Sequence, residues 1–163
     1  MKKISGTLPR SKSCLVCGDE NRRGLGLCSR IQEGVVHIDY TTDLSDVGYR
    51  HIVHGGLSMT LLDEVMTWAA IVEMGSICVA AEMTTRFRAA LEAGVDIRVE
   101  GWVAKSSRRV CYTNGRIVDG GGKELLTAEA KYMPMPSDGI QRCEDDFVYG
   151  PDTIDPRLIF DRS

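Results

Sequence analysis

Asp63 and Glu64 are adjacent carboxylates inside a greasy stretch of the chain, HIVHGGLSMTLLDEVMTW over residues 51–68. A carboxylate there is costly unless something pairs with it or uses it. The same stretch carries His54-Gly55-Gly56 near its start. At the start of a helix, main-chain N–H groups lack partners within the helix. Glycine lets a ligand come close, and the helix dipole favours negative charge. Those are the requirements for stabilising an oxyanion as it develops on a carbonyl. A carboxylate two turns further along can activate a water or attack the carbonyl directly. The opposing reading is that His-Gly-Gly is only a tight turn and that Asp63 caps a neighbouring loop.

The chemistry needs a helix to carry the acid. From Leu57 to about Met74 the sequence has no Gly or Pro and is dense in Leu, Met and Ala, which predicts one. Gly75 is its expected stop. Thr60, Asp63 and Thr67 share one side, since residues three and four apart are neighbours. Leu57, Leu61, Val65, Trp68 and Val72 cover much of the rest. Glu64 lies about a hundred degrees away and is expected to reach solvent or an ion pair.

Around this helix the period is two, the mark of half-buried strands. Val36, Ile38 and Tyr40 alternate with polar residues before the helix. After it, alternating runs cover 79–88, 95–103, 110–118 and 126–132, the last behind the hairpin glycines of DGGGKE. Short links between successive strands imply an antiparallel sheet, and one helix against one sheet is an α+β arrangement. Residues 1–30 read as an irregular arm, 31–136 as the domain, and 137–163 as a tail anchored by Phe147, Tyr149 and Phe160.

The motif HGGLSMTLLDE, with one strand before it and four after, resembles that of the hotdog-fold acyl-CoA thioesterases of the phenylacetate-pathway and menaquinone-pathway type. That resemblance spans roughly residues 14 to 134 and includes CLVCGDENRRGLGL near the N-terminus. It implies an antiparallel sheet wrapped around one long central helix, in subunits that join their sheets side by side. The family's acid stands eight residues after the first glycine, which here is Asp63 after Gly55. By this likeness Asp63 is base or nucleophile, and Gly55, with Gly56 beside it, polarises the thioester carbonyl. His54 shapes the loop, and Thr67 holds the attacking water. The acid would face a cleft shared with a partner subunit, making a homodimer, or a dimer of dimers, the active unit.

Two departures stand out. Many relatives carry Asn or Gln about six residues before the histidine, where this chain has Gly48; His51 or Tyr49 are the nearest substitutes. A polar residue that some relatives carry on the following strand falls near Ala80, with Glu82 the nearest replacement.

Coenzyme A carries phosphates, so Arg88, Arg108 and Arg109 are candidate contacts, against the ordinary reading of surface charge. Cys14-x-x-Cys17 is half of a zinc signature, but a second paired spacing is missing, so structural thiols are the default and no metal or cofactor is expected. The expected reaction is hydrolysis of an acyl-CoA, or of an acyl-carrier-protein thioester. The rivals are a hotdog hydratase or dehydratase using His51, His54 and Asp63, a non-catalytic acyl-CoA or acyl-carrier binder, and a zinc-dependent interaction module.

The bulk numbers agree with such a protein. A chain of 163 residues supports one core without disulfides. A formal charge of −3 argues against nucleic acid as a partner. No apolar run reaches the length of a membrane span. Six cysteines without a secretory leader point to a reducing cytoplasm.

Overall fold

The computed structural model describes residues 4–136 and 143–160, so the first residues of the expected tail, 137–142, lie outside the described residues. Strands β1 (Gly6–Thr7), β2 (Arg10–Ser11), β3 (Arg30–Gln32) and β4 (Val35–Thr41) lead to a small hairpin of β5 (Val47–Tyr49) and β6 (Ile52–Val53). Helix α1 follows over Gly55–Met74. Then come β7 (Cys78–Phe87), β8 (Asp96–Ser106), β9 (Cys111–Asp119) and β10 (Glu124–Pro134), and finally β11 (Phe147–Val148) and the short helix α2 (Pro156–Ile159).

Seven strands form one sheet in the order β1-β3-β4-β8-β9-β10-β7, antiparallel at every pairing. With α1 as its single long helix, the fold is α+β, a hotdog. The sheet curls around α1, and two paired glycines make that possible. Gly101 on β8 lies opposite Gly115 on β9. A Cβ on Gly101 would come within 2.8 Å of the Val65 carbonyl carbon, and one on Gly115 within 2.6 Å of the Met66 sulfur. Only glycine lets the strands approach the helix backbone so closely.

Helix α1 is buried along most of its length, with Leu61, Leu62, Val65, Met66, Ala70 and Val72 almost free of solvent. It starts at Gly55, two residues before the Gly-free run, because the His54 side chain caps its first turn. At the other end Gly75 adopts φ 62°, the left-handed cap that glycine takes at least cost.

The N-terminal arm, read from sequence as irregular, adds β1 to the main sheet beside β3, and its β2 forms a separate two-stranded sheet with β11 of the C-terminal segment. Phe147 packs between Trp68 of α1, at 5.6 Å between ring centroids, and Phe160, at 6.0 Å, with Tyr149 edge-on. Ile154 and Ile159 join the core. Among the described residues no strand pairs with the outer edge of β7, and Val79 and Phe87 on it are 47% and 57% exposed.

Candidate active site

At the start of α1, His54 holds an extended conformation and its Nδ1 accepts the Gly56 N–H at 2.9 Å. The Gly56 donor is therefore occupied, which corrects the expectation that both glycines polarise a carbonyl. Among the described residues, Gly55 N–H has no partner. That leaves one main-chain donor at the positive end of a twenty-residue helix. A Cβ on Gly55 would lie 3.2 Å from the Phe87 ring, so the helix start abuts the far end of edge strand β7.

The departure at Gly48 has a steric reason. A Cβ there would come within 2.9 Å of the His54 ring. The imidazole that caps the helix leaves no room for a side chain at residue 48. Tyr49 and His51 are both exposed on the hairpin just before the helix.

Asp63 is half-buried two turns along α1 and accepts a hydrogen bond from the Tyr132 hydroxyl at 2.7 Å. Tyr132 is fully buried on β10, where it registers with Ala80 of β7. Its hydroxyl is held well above the ordinary phenol range by burial and then by the neighbouring Asp63 charge. It therefore acts as a fixed donor to the carboxylate. Thr67 lies beside the same phenol, so Asp63, Tyr132 and Thr67 form one group. Tyr132 escapes a motif reading, although a signal exists: a tyrosine on the inward face of a strand needs a partner for its hydroxyl.

Glu64 does not reach solvent or an ion pair. It turns under the N-terminal arm, where Trp68 Nε1–H donates to it at 3.2 Å and Cys14 Sγ lies 3.6 Å away. Burial, and after it the charge on Cys14, push its carboxyl up to about 7. Cys14 is lowered to about 5, chiefly by its hydrogen bond with Cys17, whose own thiol is raised by that same bond and by burial. Cys14, Cys17, Glu64, Thr67, Trp68 and Phe147 line a cleft of about 520 Å³.

The remaining candidates are dispersed. Glu82 is paired with Lys131 at 2.5 Å on an exposed part of the sheet. Arg88 follows β7 at the Gly55 end and pairs with Glu124 at 2.9 Å. Arg108 and Arg109 are exposed in the β8–β9 turn, which the bond from Ser106 to Glu73 ties to the opposite end of α1. One chain thus does not bring the three arginines together.

Residues 51–126 match the family model described as the thioesterase superfamily. The match takes in α1 and the strands that follow it, so the chain is similar to that superfamily. Among its solved hotdog structures, the E. coli PaaI protein from the phenylacetic acid degradation operon is 20% identical, with a TM-score of 0.64, covering 72% of this chain and 86% of that one. A hypothetical thioesterase from Streptococcus pneumoniae TIGR4, solved with coenzyme A, is 19% identical, with a TM-score of 0.58 over 63% of this chain and 79% of that one. Zebra fish thioesterase superfamily member 2 is 23% identical, with a TM-score of 0.59 over 63% and 75%. These likenesses show the hotdog fold. No curated protein matches the chain in sequence. No described helix is long and apolar enough to cross a membrane.

Proposed function

We propose that this protein is a member of the thioesterase superfamily that hydrolyses an acyl-CoA to a carboxylic acid and free coenzyme A, in a site shared by two copies of the chain. The observation that carries the reading is the pairing of Asp63 with the Tyr132 hydroxyl on a helix whose first N–H, at Gly55, is unpartnered among the described residues. The coenzyme A in the Streptococcus pneumoniae relative supports the substrate class.

Two copies are needed for a distance reason. Gly55 and Asp63 are eight residues apart on one helix, about 12 Å at 1.5 Å per residue. No single carbonyl touches both. Edge strand β7 has its Phe87 end beside Gly55 and its Ala80 end beside Tyr132 and Asp63. If two β7 strands pair antiparallel about a two-fold near Met83, Phe87 of one chain faces the partner's Val79. The Gly55 end of one helix then approaches Asp63 of the other. The same pairing covers the exposed apolar side chains of β7 and satisfies an open edge of ten residues.

In that site the thioester carbonyl oxygen accepts the Gly55 N–H. Asp63, oriented by Tyr132, takes a proton from water as the water oxygen adds to the carbonyl carbon. The tetrahedral oxyanion collapses, the C–S bond breaks, and the proton on Asp63 passes to the departing thiolate. Asp63 attacking directly, to give an anhydride that water then opens, uses the same residues. Thr67, beside Tyr132, positions the water. Hydrolysis on these residues calls for no metal or organic cofactor.

One observation favours a second reading, retention of acyl-CoA without turnover: His54 packed on Gly48 leaves no room at residue 48 for the orienting amide that the family resemblance leads one to expect there. Thiol release from a panel of acyl-CoAs separates the two. Wild type is expected to release thiol from at least one ester, and Asp63→Asn to lose about a hundredfold or more. Glu129→Gln, exposed on β10, serves as the control. Tight binding with no release from any ester, or an Asp63→Asn variant as active as wild type, overturns hydrolysis.

A further inference from the structure

We propose that Cys14, Cys17 and Glu64 form a binding site for a thiophilic divalent metal ion, zinc by preference, that fastens the N-terminal arm to α1. The inference goes beyond the hydrolytic reading and does not depend on it. One ligand atom from each of the three residues lies within 4.8 Å of the others, and Cys14 Sγ is 3.6 Å from Glu64 Oε2. A tetrahedral zinc with Zn–S about 2.3 Å and Zn–O about 2.1 Å separates its sulfur and oxygen ligands by roughly 3.6 Å. The Cys14–Glu64 spacing is therefore that of two ligands around one ion, and Cys17 lies close enough to join them.

The cysteine turn is shaped for anionic sulfur. Val16 N–H points at Cys14 Sγ at 3.2 Å, and Ser11 N–H at Cys17 Sγ at 3.4 Å. The turn closes with Gly18 N–H donating to the Cys14 carbonyl at 3.0 Å. A Cβ on Gly18 would lie 2.4 Å from the Lys12 carbonyl oxygen and 2.5 Å from that of Cys14, so the turn admits only glycine there. Main-chain N–H donors on thiolates and an indole N–H on the carboxylate are outer contacts that orient metal ligands.

Glu64 points the same way. It is turned away from bulk water under the arm, and among the described residues no Lys, Arg or His pairs with it. A carboxylate placed against two thiols without a cation is repelled by either thiolate. A divalent ion removes that repulsion and satisfies all three groups. Two sulfur ligands select zinc over magnesium or calcium. Iron–sulfur clusters need four ligands of their own, and no fourth His, Cys, Asp or Glu joins this group among the described residues. The fourth position falls to water or an external donor, as in open zinc sites. Because the two cysteines precede the glutamate by about fifty residues, the ion closes a long loop, where a cross-link constrains the unfolded chain most.

The test uses full-length protein purified under a thiol reductant, with zinc quantified per chain, followed by cobalt titration of the metal-free form. Metal content and spectra are read without any thioester, so failure here leaves the hydrolytic reading untouched. The expected result is one zinc per chain and tetrahedral cobalt bands with thiolate charge transfer. Cys14→Ser and Cys17→Ser should each weaken binding by about a hundredfold or more. Glu64→Gln should keep the charge transfer yet weaken binding by more than about tenfold. Cys28→Ser, changed at an exposed thiol, should bind as wild type does. Should the cysteine variants lose their fold by circular dichroism, Glu64→Gln in folded protein decides the matter. Reduced wild type without stoichiometric metal, Glu64→Gln binding as tightly as wild type, or a Cys14–Cys17 disulfide persisting in reductant overturns the proposal.

Discussion

Tyr132→Phe removes one oxygen atom from a fully buried ring and leaves the ring in place. The oxygen donates to Asp63 at 2.7 Å. Hydrogen bonds to charged groups contribute about 1.5–3 kcal/mol. Asp63 is only half-buried, so water can replace part of what is lost, and the lower end, about 1.5 kcal/mol, is expected. The bond is isolated with a double-mutant cycle of Tyr132→Phe and Asp63→Ala. The helix-propensity gain of alanine and the altered packing at residue 132 cancel in the cycle when each acts alone. Urea unfolding at one fixed protein concentration reads the four stabilities, since a dimer's stability depends on concentration. The expected coupling is about 1.5 kcal/mol, with the double variant less destabilised than the sum of the two singles. Thiol release should fall about tenfold in Tyr132→Phe, the rate equivalent of about 1.4 kcal/mol lost in orienting the acid. Additivity within about 0.4 kcal/mol would refute the claim that the phenol holds the carboxylate.

Three further outcomes follow from the geometry. Gly101→Ala pushes a methyl group into the α1 backbone, which cannot move aside as a side chain can; it should cost about 1–3 kcal/mol, more than Gly115→Ala against the flexible Met66, and paired thermal melts compare them. Phe87→Lys puts a charge on the apolar edge of β7, and sedimentation at micromolar concentration should show a shift toward monomer together with loss of thiol release; a dimer of unchanged affinity would rule out the edge pairing. Because burial raises the Tyr132 hydroxyl above its ordinary value of about 10, its neutral form contributes fully below that pH, and the contribution is lost only as pH rises through the folded value. The stability difference between wild type and Tyr132→Phe should therefore stay constant from about pH 7 to about pH 9, measured by unfolding at each pH, and a fall within that window would falsify the assignment.

Much of this molecule is written in local pattern. The two-residue period of 36–41 and of the four later runs, and the Gly-free stretch after His54, depend on which residues are apolar and how far apart they stand. Those local preferences survive folding, and the strands and α1 lie where the periods place them to within a few residues. The spacing from Gly55 to Asp63 is likewise a sequence fact, and helix geometry turns it directly into a distance.

What tertiary structure alone decided are the partners of each carboxylate. Tyr132 reaches Asp63 across 69 residues, and Cys14 reaches Glu64 across 50. Periodicity carries no information about such separations, because it describes which face a residue occupies and not which strand lies over that face. Glu64 reads as a solvent residue only while the second side of the helix is bare; the N-terminal arm and Phe147 cover that side. Gly56 reads as a second donor by spacing alone, yet the His54 imidazole, fixed in place by packing on Gly48, takes its N–H. The sequence by itself determined the five long strands, the helix and the eight-residue spacing, since these follow from short-range sterics and apolar period. The fold alone decided which acid meets a phenol and which meets two thiols, since that depends on the order in which strands and arm close over the helix.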